Sequence, residues 1–405
     1  MKTKFQNVRG TQDFYGFEAD KFNYVIDIAR KNVNTYNFHE IITPIIEFSE
    51  LFERGVGDGS DIVMKELYRF EDRGNNMLAL RPEFTAGIVR SFLNNDEINQ
   101  NLPQKLFSFG PVFRYDRPQK GRYRQFNQIN CEYLGNKDYL ADVETITLAY
   151  KILSDLKLKN ISLEINSLGS KQCKIDYEQA LKEYFKNKQN ELSEDSKIRL
   201  EKNPLRILDS KDEGDRLLLK NAPKISDFYT QEDKVFFDNI LNSLTKTGIN
   251  YTANNLLVRG LDYYTSTVFE FTTTDLGAQA TVLAGGRYDA LVEEMSGISV
   301  PAIGFGGGVE RMMLLVDNQE IKTNELIAII PISENEDAFC LDLVNKLRNK
   351  GKNIEFIYSG KFKKKLEKMN KCNADFAIIV GENEIKENKL RIKNLKTNAE
   401  QDFQI

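Results

Sequence analysis

Residues 113–135, FRYDRPQKGRYRQFNQINCEYLG, place an aromatic ring, an amide and a carboxylate beside Arg114, Arg117, Lys120, Arg122 and Arg124. Successive strand side chains point to opposite faces, so Phe126, Gln128 and Glu132 share one face, and Ile129, Cys131 and Tyr133 share the other. A face that only packed against a core would not carry the polar set. With cations at its end, it suits an anionic nucleotide and a polar small molecule; the alternative is a solvated hairpin with cross-strand ion pairs. A second group, LRPEFTAGIVR, puts Glu83 and Thr85 where a strand enters a helix and backbone N–H groups lack partners. Capping of that helix by Glu83 and Thr85 is the simpler reading. In LVRGLDYYTSTVFEF, Arg259 precedes Asp262, Tyr263 and Tyr264 inside an apolar pattern. A buried guanidinium needs a partner or an anionic ligand, which leaves a structural and a functional reading open. The run GFGGGVERMML, ending in Arg311, lacks the G-K-[ST] of a P-loop and the spacing of a dinucleotide fold, so its glycines alone do not identify a nucleotide site. The Lys-rich KFKKKLEKMNK reads first as a solvated helix face.

These residues must be held by ordinary elements, and the apolar periodicity supplies them. Phe22, Val25, Ile26, Ala29, Val33 and Tyr36 recur at helical spacing across residues 18–36, followed by an extended stretch at 41–46. Residues 105–115 and 125–134 read as an antiparallel hairpin with a charged tip. A helix over 142–156 and a strand over 161–166 come next. Residues 170–249 are Lys- and Glu-rich with helical patterning and read as an inserted helical subdomain. Strand patterning returns at 256–273, and the glycine-rich run reads as a strand entering a helix. From LIAIIPI onward, strands and helices alternate as a compact α/β module.

With 405 residues, 41% of them hydrophobic and 29% charged, the chain is long enough for two or three domains and has the composition of a folded protein. The only histidine is His39, so a multi-histidine metal site is excluded and a Ser-His-Asp triad would depend on that residue. The four cysteines are far apart, with no C-x-x-C pair, and reduced thiols are expected. No apolar run is long enough to span a membrane and no signal peptide is evident, so a cytoplasmic location is expected. A net charge of -4 argues against wholesale wrapping of nucleic acid and leaves room for local basic patches.

In combination the segments resemble class II aminoacyl-tRNA synthetases, and within them the histidyl-tRNA synthetase family. The segment 113–135 looks like motif 2 and GFGGGVERMML like motif 3; LVRGLDYYTSTVFE and AGGRYDALV look like the two blocks peculiar to the histidine enzymes. RGTQDFYG, GDGSDIVMKELYRF, LRPEFTA and NPLRILDSK extend the likeness, and the C-terminal module resembles the class II anticodon-binding domain. The resemblance implies an α+β fold: a class II catalytic domain over 1–169 and 250–320, with an antiparallel sheet and flanking helices, a helical insertion over 170–249, and an α/β anticodon-binding domain over 325–405.

It also implies chemistry. Histidine and ATP would give histidyl-adenylate and pyrophosphate, and the histidine would pass to the 3′ end of histidine tRNA. Arg114 and Arg122 would hold the phosphates, and Phe126 and Arg311 would sandwich the adenine. Arg259, with Arg114, would be catalytic, holding the histidine carboxylate against the α-phosphate. Glu83, Thr85 and Gln128 would hold the α-amino end, and Glu132 with Tyr263 and Tyr264 would surround the imidazole. Mg2+ would accompany the β- and γ-phosphates, with no protein ligand assigned. Arg117 and Gln119 would meet the tRNA acceptor end, and the helix and strand over 18–46 would form a homodimer interface. Asn127 stands where histidine is common in the family; its side chain should point away from Gln128. A non-catalytic paralogue serving as a regulatory subunit would usually lose Arg114, Arg259, Glu83 and Arg311, all present here, and a general nucleic-acid-binding module fits the acidic balance poorly.

Overall fold

A computed structural model describes residues 5–56, 62–261, 263–277, 280–321, 325–387 and 389–403. Asp262 and the first five residues of GDGSDIVMKELYRF lie outside the described residues. The chain divides into two compact units, 1–321 and 322–405.

In the first unit the strands are β1 (His39–Glu40), β2 (Ile46–Phe48), β3 (Arg69–Glu71), β4 (Met77–Leu80), β5 (Gln104–Phe113), β6 (Gln125–Leu134), β7 (Ile161–Ser167), β8 (Tyr251–Ala253), β9 (Thr267–Thr273), β10 (Thr281–Arg287) and β11 (Ala302–Gly308). The α-helices are α1 (Phe17–Thr35), α2 (Ser49–Val56), α3 (Thr85–Leu93), α4 (Asp96–Asn99), α5 (Tyr139–Asp155), α6 (Lys171–Lys186), α7 (Glu194–Lys202), α8 (Glu213–Leu219), α9 (Gln231–Lys246), α10 (Asp289–Ser296) and α11 (Val309–Leu315). Eight strands form one sheet in the order β1-β5-β6-β11-β10-β9-β7-β8, antiparallel except at its two outer pairs. Strands β2, β4 and β3 form a small antiparallel sheet.

Alternation along the central strands separates a core face from a cavity face. Ile129, Cys131, Phe269, Phe271, Leu283, Ile303 and Phe305 are buried in one apolar cluster with Val25, Ala29 and Val33 of α1 and Ile146, Ala149 and Ile152 of α5. Gly304 and Gly306 take the opposite face of β11, paired with Glu132 and Asn130 of β6. The glycine run therefore lowers the floor of the cavity: a Cβ on Gly304 would overlap the Glu132 carboxylate, and one on Gly306 would lie 3.3 Å from Gln128 Nε2.

Residues 170–249 hold α6 to α9 and short 3-10 turns, with no strand between β7 and β8 among the described residues, in accord with the helical texture of that stretch. Its caps follow the sequence: Ser170 accepts from Cys173 N, Ser193 from Ser196 N, and Thr230 and Asp233 form a reciprocal capping box. The side chain of Asp215 organises the interior of this region, accepting from the hydroxyls of Ser193, Ser196 and Ser210 at 2.6–2.7 Å.

One expectation fails here. The continuous strand over 256–273 is a strand only from Thr267; the described residues before it run as irregular chain along the cavity. Leu257 and Val258 are buried there in a second apolar cluster with Phe84, Ile88 and Tyr288, so their apolar character reflects burial rather than pairing.

The second unit has β12 (Leu326–Pro331), α12 (Asp337–Asn349), β13 (Asn353–Phe356), α13 (Phe362–Lys371), β14 (Phe376–Val380), α14 (Glu382–Lys386), β15 (Leu390–Asn394) and β16 (Glu400–Phe403). Its sheet order is β13-β12-β14-β15-β16, with β12 parallel to both neighbours and the last two strands antiparallel. Strands β15 and β16 extend the expected β-α-β-α-β pattern. On the Lys-rich α13 one lysine is not solvated: Lys365 is buried, and its Nζ donates to Pro331 O at 3.0 Å.

Candidate active site

A cavity of about 500 Å³ opens over the glycine face of the large sheet. Its lining includes Glu83, Thr85, Arg114, Arg122, Phe126, Gln128, Glu132, Arg259, Tyr263, Tyr264 and Arg311, so every residue expected to bind the amino acid or ATP is brought into one space. Arg117 and Gln119 lie apart from it, exposed on the hairpin tip.

The turn between β4 and α3 supplies the acidic end. Glu83 accepts from the N–H groups of Thr85 and Ala86 at 2.6 and 2.9 Å, so it does cap α3 while lining the cavity. Thr85 does not cap; its hydroxyl donates to Glu132 Oε1 at 2.6 Å. Arg81, not singled out from sequence, locks this turn to the hairpin by donating from Nε to Pro111 O at 2.8 Å and from a terminal nitrogen to Thr43 O at 2.8 Å. Its burial lowers its pKa to about 10. Burial raises the pKa of Glu83, while hydrogen bonds and Arg114 oppose that shift. Glu132 is pushed up to about 8, chiefly by burial, against the hydrogen bonds from Thr85 and Tyr288.

The basic end is built from guanidiniums on separate elements. Arg114, just after β5, donates from Nε to Pro82 O at 3.0 Å and lies 5.4 Å from the Phe126 ring centroid. Arg122 pairs with Asp116 and approaches Glu66 at 3.4 Å. Arg311, in the first turn of α11, donates to Gly121 O at 2.9 Å and Thr281 O at 2.6 Å. Its pKa falls to about 10 through burial and the repulsion of Arg114, Arg122 and Arg259. Cations held this close favour a polyanionic ligand. Asn127, which does not line the cavity, donates from its backbone N–H and side-chain amide at 2.9 Å to Glu310, which does, tying the start of β6 to α11.

Arg259 does not lie in the strand expected over 256–273, and of the two readings left open it has a protein partner: it sits in the irregular segment before β9 and pairs with Glu270, whose other oxygen accepts from Thr281 Oγ1 at 2.8 Å. Arg206 of the helical region donates to the Arg259 carbonyl at 3.0 Å, fixing the backbone from the other side. Arg259 Nε is nevertheless buried without a hydrogen-bond partner among the described residues, a donor left for a ligand. Tyr263 and Tyr264 pack at 4.7 Å between ring centroids, and burial raises both hydroxyl pKa values. Glu270 and Tyr288 lie within LVRGLDYYTSTVFEF and AGGRYDALV but were not singled out from sequence, because each acts on a recognised residue through a contact made only on folding.

The histidyl-tRNA synthetase family model matches residues 10–312, and an anticodon-binding domain model matches 326–405. The chain belongs to the histidyl-tRNA synthetase family. It is 50% identical over 396 residues to a histidine–tRNA ligase of Wolbachia pipientis subsp. Culex pipiens, covering 98% of this chain and 96% of that one. To the histidine–tRNA ligase of Rickettsia typhi it is 47% identical over 403 residues, covering 99% and 97%. The crystal structure of apo Staphylococcus aureus histidyl-tRNA synthetase is similar with a TM-score of 0.81 and 32% identity, over 99% of this chain and 97% of that one. A Bacillus halodurans ATP phosphoribosyltransferase regulatory subunit/histidyl-tRNA synthetase, at 20% identity and TM-score 0.70 over 94% of this chain and 99% of that one, shares the fold.

Proposed function

We propose that the chain joins L-histidine to histidine tRNA in two steps, first forming histidyl-adenylate and pyrophosphate from histidine and ATP, then passing the histidyl group to the tRNA 3′ end. The observation that carries this reading is one cavity with two chemically distinct ends: four guanidiniums at one, and the buried Glu83, Thr85 and Glu132 at the other. In the first step a carboxylate oxygen of histidine attacks the α-phosphorus and the bond to the bridging oxygen of pyrophosphate breaks. Arg259 and Arg114 stabilise the charge that builds on the α-phosphoryl oxygens. Arg122 holds the distal phosphates, exchanging its carboxylate partners for them, while Phe126 and Arg311 enclose the adenine. Glu83, Thr85 and Gln128 take the α-amino end, with Glu132, Tyr263 and Tyr264 around the imidazole. The direct test is exchange of labelled pyrophosphate into ATP, which should depend on histidine.

Mg2+ is expected on the β- and γ-phosphates. Such an ion is held mainly by the substrate phosphates and water, with one or two protein carboxylates at most, and no residue of this chain is assigned to it. Bound to the phosphates it would neutralise their charge. The domain reading assigns catalysis to 1–169 and 250–320, the helical insertion to 170–249 and anticodon binding to 325–405. No helix among the described residues is long and apolar enough to cross a membrane, and a tRNA ligase belongs in the cytoplasm. Arg114, Arg259, Glu83 and Arg311 together favour the enzyme over a non-catalytic paralogue.

Two predictions follow from exposed residues. The row Phe48–Leu78–Phe70 crosses the small sheet, and Phe48 and Phe70 are 60% and 40% exposed. Beside it on β2, Ile46 is 48% exposed. An apolar sheet face next to the helix and strand over 18–46, the segment expected at a homodimer interface, calls for a second copy, so the chain should be a homodimer. Light scattering at micromolar concentration should give twice the chain mass; an active monomer would contradict the assignment. The exposed Arg117 and Gln119 offer donors that can pair with base edges, and they should meet the extra 5′ guanosine typical of histidine tRNA. Arg117→Ala should leave pyrophosphate exchange nearly intact and slow aminoacyl transfer. The loss should shrink on tRNA lacking that guanosine; an equal loss on both tRNAs would indicate a phosphate contact or a disordered loop.

A further inference from the structure

Glu132 is 1% exposed, and both of its oxygens are engaged. Thr85 Oγ1 donates to Oε1 at 2.6 Å and the Tyr288 hydroxyl donates to Oε2. Beneath the carboxylate is Gly304, where any side chain would overlap it. Tyr288 itself is buried, packs 5.6 Å from Tyr263 between ring centroids, and donates from its backbone N–H to Ala302 O at 2.8 Å. Its neighbours are pinned as well. The Arg287 guanidinium pairs with the buried Asp142, and the Arg287 carbonyl accepts from Thr265 N at 2.8 Å. Asp289 Oδ1 accepts from Ala302 N at 2.9 Å.

A hydroxyl has one hydrogen to give. Those of Thr85 and Tyr288 are both given to Glu132, so a proton placed on the carboxylate would compete with one of them. As an ionised acceptor, Glu132 keeps lone pairs free for an N–H entering the cavity. We infer that Tyr288 is a positioning residue for amino-acid selection: with Thr85 it holds Glu132 in place as an acceptor, so the site matches a side chain that brings an N–H. This rests on the reading that Glu132 faces the histidine side chain.

The surroundings make the donors matter. Glu83 from the turn before α3 presents a like charge, Tyr263 and Tyr264 face the carboxylate from the irregular segment, and Asn130 and Cys131 flank it on β6. The nearest cations act elsewhere: Arg114 faces Glu83, Arg259 pairs with Glu270, and Arg287 pairs with Asp142. Burial already raises the Glu132 pKa to about 8, and a donated hydroxyl opposes that rise. Removing the Tyr288 hydroxyl raises it further. If recognition uses ionised Glu132, kcat/KM for histidine falls as pH drops through that pKa, and the variant's fall begins at higher pH. Histidine's own ionisations are the same for both enzymes and cancel in the comparison.

The experiment is pyrophosphate exchange by the full-length enzyme from pH 6 to pH 9.5, comparing wild type with Tyr288→Phe, Thr85→Val and Glu132→Gln. Tyr288→Phe should lower kcat/KM for histidine by about 10-fold or more near neutral pH. It should move the acid limb upward by about one pH unit and leave KM for ATP within about twofold. Thr85→Val should shift the limb the same way from the other oxygen, which keeps the test open if Tyr288→Phe folds poorly. A Tyr288→Phe enzyme with wild-type histidine kinetics and limb would overturn the inference, as would equal losses toward histidine and ATP with no limb movement. If Glu132→Gln itself keeps wild-type histidine kinetics, the placement of histidine is what fails; if Glu132→Gln loses histidine while both hydroxyl variants do not, only the role of the hydroxyls fails.

Discussion

Arg259→Lys should lower the single-turnover rate of adenylate formation by about 10²-fold or more, with a smaller change in ATP binding. The reason lies in how the guanidinium is divided. One terminal nitrogen is committed to Glu270, and Nε is buried without a partner among the described residues. A guanidinium satisfies a carboxylate on one edge while presenting a second donor to a ligand; an ammonium is a point charge that Glu270 would capture. Because Glu270 is also held by Thr281 and the Arg259 carbonyl by Arg206, the geometry is fixed before substrate arrives. Preorganised donors of this kind act most strongly where charge develops in the transition state. ATP retains Arg114, Arg122 and Arg311, so its binding should change less. Arg259→Ala should be at least as slow, and it additionally leaves Glu270 without its cation. Near-normal single-turnover rates in the lysine variant would show that Arg259 is structural.

What the sequence revealed, and what it hid, follows from whether the cause was local. The hairpin β5–β6 and its two faces were legible because strand alternation is a local rule, and Phe126, Gln128 and Glu132 do share the cavity side. Glu83 could be read either as a cap or as a site residue, and it is both, since a carboxylate that caps α3 from inside a cavity need not choose. The irregular path before β9 was hidden because Leu257, Val258 and Tyr263 are apolar for burial, while pairing with β7 begins only at Thr267 opposite Ser167. Tyr288 was hidden for another reason: it meets Glu132 across 156 residues of chain, a contact that depends on β10 and β11 lying beside β6. The glycines of β11 gave an ambiguous signal until the register put Gly304 opposite Glu132. At the end of the chain, β16 carries mostly exposed polar residues, which blunts the alternation that marks a strand, while β15 keeps it over only five residues, with Leu390 and Ile392 buried and Arg391 exposed.

The measurement that tests the central claim most directly is pyrophosphate exchange with each of the twenty amino acids in turn. A site with buried polar groups arranged for one side chain leaves those groups unpaired when another enters, and rejections of about 10⁴-fold are within reach of such a design. Here the groups are Glu132, with Thr85 and Tyr288 on its oxygens, and the hydroxyls of Tyr263 and Tyr264. Histidine should support exchange, and the other nineteen should fall below it by about that factor. Equal exchange with a second amino acid, or none with histidine, would contradict the account.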